Sequence, residues 1–197
     1  MNIGFLASHR GSNMQAVVEA CRVGEFAAQP VVLICNNRQA EAVARADRQG
    51  ITVHVLNAAT HPDPEALDQA MLEILQRHGC DVIVLAGYMK KIGPRVLTAF
   101  RNRILNIHPS LLPKYGGKGM YGRAVHEAVL AAGEKATGVT VHLVSAEYDD
   151  GRIISQCEVP VHPGDSVETL AARVLEREHG LLVETLKEVA AGYIELD

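Results

Sequence analysis

Hydrophobic and polar positions in the first half of the chain follow two rhythms in turn. Short, nearly continuous apolar runs rich in β-branched residues recur at "NIGFLAS" (Asn2–Ser8), "PVVLICN" (Pro30–Asn36), "ITVHVLN" (Ile51–Asn57) and "DVIVLAG" (Asp81–Gly87). Strands covered on both faces have this character because neither face meets water, and such strands belong to parallel sheets. Between them, "NMQAVVEACRVG", "QAEAVARADRQG" and "PEALDQAMLEILQRHG" carry apolar residues at helical spacing. Each ends at or near a glycine, which closes a helix by turning left-handed. Strand and helix in alternation predict an α/β fold: a doubly wound, mostly parallel sheet flanked by helices.

The second half changes the rhythm. "RILNIH" supplies a fifth strand, and "GVTVHLVS" and "IISQCEVPV" alternate more clearly, with a D-D-G-R turn between them. They predict an antiparallel addition at one edge. A long C-terminal helix follows, opened by Ser166 with an acidic residue two positions on. With 197 residues and no repeat, linker or low-complexity tract, one domain over residues 1–197 is expected.

Composition narrows the function. A net charge of −4 provides no basic field for a polyanion, so no nucleic-acid partner is expected. No charged leader precedes the first strand and no apolar run reaches membrane-spanning length, which predicts a cytoplasmic protein without a membrane partner. Cys21, Cys35, Cys80 and Cys157 show no C-x-x-C spacing, so they read as reduced thiols rather than a metal site or disulfide framework.

Three places carry chemistry. "ASHRGSNMQAV" sets a polar loop between the first strand and the first helix, where free N–H groups and the helix dipole favour an anion. Gly11 would let the backbone approach a phosphate closely, and Ser12 and Asn13 can donate or cap; a plain helix cap reads equally well. In "RILNIH", residues two apart share a face, so Asn106 and His108 point to one side and Leu105 and Ile107 to the other. Pro109 holds His108 extended at a strand's carboxyl end, where ligands bind in a doubly wound sheet. Asp149 lies in the D-D-G turn and matters only if it meets His108 in space.

"NIHPSLLPKY", with the G-S-N loop, "DVIVLAGYM", "TGVTVHLV" and the D-D-G turn, resembles the folate-dependent formyltransferase family from Met1 past "REHGLLVE". The resemblance is to the members that formylate glycinamide ribonucleotide in purine biosynthesis. It implies the same fold, with a nucleotide-binding half at about residues 1–100 and a catalytic and folate-binding half at about 101–197. It also implies 10-formyltetrahydrofolate as co-substrate and no metal. Asn106 would donate to the formyl oxygen. His108 would act as an imidazolium, with its pKa raised by Asp149, that stabilises the oxyanion and delivers a proton. Gly11, Ser12 and Asn13 match the phosphate-binding segment, and Glu178 matches the glutamate that holds the ribose hydroxyls. Met89, Lys90, Lys91 and Ile92 match the segment lining the pterin pocket, and a cis Leu112–Pro113 bond is implied.

The sequence departs from the family at three places. His9 stands where the family's phosphate loop usually has its first glycine, with Arg10 after it. Pro64 stands where some relatives carry an arginine that contacts the folate. "YGGKGMYG" replaces the common Pro-Gly after Lys114. Formyltetrahydrofolate hydrolysis would use the same Asn, His and Asp with water as nucleophile, and another amine acceptor would fit the same motif. The G-S-N loop favours a phosphorylated acceptor. Whether the protein is a monomer or a homodimer stays open.

Overall fold

The computed structural model describes residues 1–196. Seven strands form one sheet in the order β3-β2-β1-β4-β5-β6-β7. They are β1 (Asn2–Ala7), β2 (Gln29–Cys35), β3 (Thr52–Val55), β4 (Val82–Leu85), β5 (Ile104–His108), β6 (Ala136–Leu143) and β7 (Ile153–Pro160). The first five pair in parallel. Both β6 and β7 run antiparallel to their neighbours, so the antiparallel addition is two strands wide. Residues 144–152 join them, a longer connection than the D-D-G-R turn that the pattern suggests.

Six helices cover the sheet: α1 (Ser12–Arg22), α2 (Glu41–Arg48), α3 (Pro64–Arg77), α4 (Pro94–Ala99), α5 (Arg123–Ala131) and α6 (Val167–Ala190). The short α4 and α5 were not expected from the pattern. Each is brief and follows a proline- or glycine-bearing segment that hides its periodicity. Strand residues of alternate parity feed two cores. Ile3, Phe5, Leu105 and Ile107 pack under α1, α2, α5 and α6. Leu6, Ile83 and Ile104 pack under α3 and α4. Each fully buried Leu, Ile or Phe contributes roughly 1.5–3 kcal/mol, so this two-sided burial stabilises the sheet.

Chain order reverses between β1 and β4, and a crevice opens there beyond the carboxyl ends of the strands. The loops after β1 and β4 flank it and are tied together, because the Met89 N–H donates to Ser8 Oγ at 2.8 Å. Ser166 caps α6 reciprocally with Thr169, which fixes where that helix begins beside the crevice. The Leu112–Pro113 bond is cis. Among the described residues no helix is long and apolar enough to cross a membrane.

Candidate active site

A cleft of about 1290 Å³ runs along the carboxyl edge of the sheet. That exceeds the ~300–1,000 Å³ of a pocket for one small ligand. Gly11, Ser12, Asn13, Met89, Lys90, Lys91, Ile92, Asn106, His108, Asp149 and Glu178 all line it.

Asn106 and His108 reach the cleft because β5 ends there and period-two alternation puts both on one face. On the neighbouring strand His142 stands opposite Asn106 and Thr140 opposite His108. Asp149 arrives from the 144–152 connection in a left-handed conformation, φ 56°. One carboxylate serves two rings: Oδ2 lies 3.5 Å from His108 Nδ1, and Oδ1 lies 3.5 Å from His142 Nε2. The Gly117 N–H also donates to Oδ2 at 2.9 Å, which fastens the glycine-rich loop to the same group.

Hydrogen-bond chemistry assigns the ring protons. A carbonyl can only accept, so His108 Nε2 carries a proton and donates it to Tyr115 O at 2.8 Å. His142 Nδ1 likewise donates to Leu143 O at 2.9 Å. Its Nε2 accepts from Asn106 Nδ2 at 3.0 Å, since an amide nitrogen can only donate. This orients the carboxamide and leaves its second N–H for the cleft. The loop behind His108 is held by Thr140, whose Oγ1 donates to Ser110 O and accepts from the Leu112 N–H and from Gln156 Nε2.

Burial pushes the His108 imidazole below its ordinary pKa. Asp149 and the Tyr115 carbonyl pull it up without overcoming burial, and His142 adds to the lowering. Asp149 thus pulls the pKa up as the resemblance implies, but desolvation of a nearly sealed ring outweighs one carboxylate and the net direction is down. Burial also raises the Asp149 carboxyl. The His142 contact, the His108 charge and the Gly117 N–H outweigh it, and its pKa falls below the usual value.

At the other end of the cleft, Gly11 precedes α1 with φ 66° and ψ 29°. A Cβ built there would stand 2.7 Å from the Ala42 Cβ, so only glycine lets this loop pack against α2. His9 and Arg10 are exposed on the cleft rim. Glu178 of α6 is 9% exposed, and burial pushes its carboxyl up to about 8, opposed by a hydrogen bond with Asn13. Met89 already spends its N–H on Ser8, and the Ile92 side chain is buried in the core. Lys91 bridges to the 144–152 connection, with Nζ 3.0 Å from Ala146 O and 5.1 Å from the Tyr148 ring centroid. Sequence reasoning missed His142 and His126 of α5, which also line the cleft. For His142 a signal existed, since Thr140 and His142 are polar residues two apart in an apolar strand.

The sequence matches the family described as formyl transferase over residues 1–186. The chloroplastic phosphoribosylglycinamide formyltransferase of Arabidopsis thaliana is 40% identical over 194 residues, 98% of this chain and 66% of that protein. The phosphoribosylglycinamide formyltransferase of Escherichia coli is 36% identical over 196 residues, 100% of this chain and 90% of that protein. The crystal structure of glycinamide ribonucleotide transformylase 1 from Symbiobacterium toebii superposes with a TM-score of 0.91 at 41% identity, covering 99% of this chain and 91% of that one. The chain thus spans about two thirds of the plant protein's length and nearly all of the bacterial ones.

Proposed function

This chain belongs to the formyl transferase family, and we propose that it transfers the formyl group of 10-formyltetrahydrofolate to the amine of glycinamide ribonucleotide. The products are formylglycinamide ribonucleotide and tetrahydrofolate, a step of purine biosynthesis. The observation that carries this reading is the meeting of Asn106, His108 and Asp149 at one end of a cleft whose other end holds the Gly11–Asn13 turn at the start of α1.

The amine nitrogen attacks the formyl carbon, and the carbonyl electron pair moves onto oxygen. Asn106 donates its free N–H to that oxygen, where charge develops. His108 is neutral with Nε2 protonated, so Nδ1 offers the lone pair that takes the proton from the attacking nitrogen. The resulting imidazolium lies 3.5 Å from Asp149, which stabilises it once formed. It then returns the proton to N10 of the folate as the carbon–N10 bond breaks and the carbonyl re-forms. A lowered imidazole pKa suits this order, base first and acid second.

The Gly11–Asn13 backbone receives the phosphate, where free N–H groups and the dipole of α1 favour an anion. Glu178 takes the ribose hydroxyls, and a buried, protonated carboxyl serves them both as donor and as acceptor. Residues 87–92 border the pterin, so the cleft draws on both a nucleotide half near residues 1–100 and a catalytic half near 101–197. The chain's expected place is the cytoplasm, where the free thiols of Cys21, Cys35, Cys80 and Cys157 stay reduced.

The test is a formyl-transfer assay with both substrates, run beside the formyl-folate alone. Stoichiometric formylation of the ribonucleotide, without formate release when the amine is omitted, supports the proposal. Formate release at equal rate with and without the amine identifies a hydrolase instead.

A further inference from the structure

One buried histidine in the cleft wall has no hydrogen-bond partner among the described residues. His126, in the second turn of α5, is 5% exposed and lines the cleft together with Asn13, His108 and Glu178. Its Nδ1 is sealed from solvent and meets no donor or acceptor among the described residues. Its Nε2 makes no hydrogen bond among those residues either but is not sealed, so it opens on the cleft. Burial pushes the imidazole pKa down, and the charge on nearby His108 lowers it further.

Such a residue is costly for folding alone. An unsatisfied buried polar group loses roughly 1–3 kcal/mol relative to its hydrated state, and a leucine in its place would lose nothing. A sealed N–H is rarer in folded proteins than a sealed lone pair, so the ring proton belongs on Nε2. The wall of the cleft therefore presents one neutral, pre-aimed N–H donor.

We propose that His126 is a substrate-binding residue that donates from Nε2 to the amide carbonyl oxygen of the glycinamide arm. The inference rests on the functional reading above, which puts phosphate at Gly11–Asn13, ribose at Glu178 and the reacting amine at His108. Between ribose and amine the substrate carries one acceptor of matching kind, the amide carbonyl. Helix α5 packs against α6, which bears Glu178, and His126 lines the same cleft as Glu178 and His108, so it borders the path between ribose and amine.

The experiment compares wild type, His126→Leu and His126→Gln by thermal melting, by calorimetric binding of glycinamide ribonucleotide and ribose 5-phosphate, and by steady-state kinetics. His126→Leu should melt at the same temperature or higher, because an orphan polar group is gone. Its Kd and KM for glycinamide ribonucleotide should rise about tenfold, the scale of one hydrogen bond. KM for the formyl-folate, and Kd for ribose 5-phosphate, which lacks the arm, should not move. Gln retains a donor of similar reach and should restore most of the affinity. A lower melting temperature with equal losses for both substrates, or an unchanged Kd for the ribonucleotide, overturns the proposal. Wild type that fails to bind glycinamide ribonucleotide at all overturns the functional reading itself.

Discussion

His108 gives its Nε2 proton to the main-chain carbonyl of Tyr115 at 2.8 Å. That bond leaves Nδ1 as the only ring nitrogen able to serve the cleft, and Nδ1 is the atom that faces Asp149. Proton traffic through this site therefore has one port. Tyr115 itself is held in a left-handed conformation, with its hydroxyl donating to Glu134 at 2.9 Å.

Replacing His108 by alanine removes the port while leaving Asn106 and the Gly11–Asn13 turn in place. General acid–base work is worth about 10²- to 10⁴-fold. The base and acid roles sit on one ring, so their losses overlap rather than multiply. Turnover should fall by at least about 10²-fold with KM for each substrate little changed. Steady-state kinetics decide it: retained turnover with lost nucleotide affinity would make His108 a binding residue.

Asp149→Asn tests the electrostatics. The carboxylate raises the His108 pKa against burial, so its loss lowers that pKa further. The acid limb of the kcat/KM profile, where His108 becomes protonated and cannot act as base, should move to lower pH. Turnover on the plateau should fall by about 10²-fold or more, because a neutral amide no longer stabilises the imidazolium. An acid limb that stays in place would separate Asp149 from His108 titration.

Gly11→Val tests the anion turn. The position has φ 66°, and a new Cβ meets the Ala42 Cβ at 2.7 Å. The left-handed conformation alone costs a β-branched residue roughly 1–2 kcal/mol. Binding of glycinamide ribonucleotide should weaken far more than binding of the formyl-folate, as calorimetry with each ligand can show. Equal losses would point to general misfolding.

Glu178→Gln carries a pH signature in stability. Burial raises the carboxyl in the folded protein to about 8, from its ordinary value of 4.5. Between those values the unfolded chain has released its proton and the folded chain has not, so wild-type stability falls as pH rises through this window. Glutamine does not titrate. The melting temperature of the variant should therefore gain on wild type from pH 5 to pH 8 and then level off, while ribonucleotide affinity drops. A constant difference across that range would refute the assignment.

Much of the fold was legible because its signals are local. A strand buried on both faces must be apolar throughout, and a helix must repeat its apolar face every turn, so most of the elements could be read in order. Period-two alternation likewise put Asn106 and His108 on one side of β5, and the glycine before α1 marked a place where backbone can approach a ligand closely. The short α4 and α5 escaped, because too few turns accumulate for a period to stand out.

The rest depends on contacts between distant segments. The register of β6 on β5, which sequence spacing does not encode, sets His142 opposite Asn106. The path of the 144–152 connection brings Asp149 onto two imidazoles at once. The net direction of the His108 pKa was not legible in the sequence for the same reason. A neighbouring carboxylate can be guessed from a motif, whereas desolvation sums over every element that shuts water out. Only the packed fold sets that sum, and with it the protonation states on which the chemistry turns.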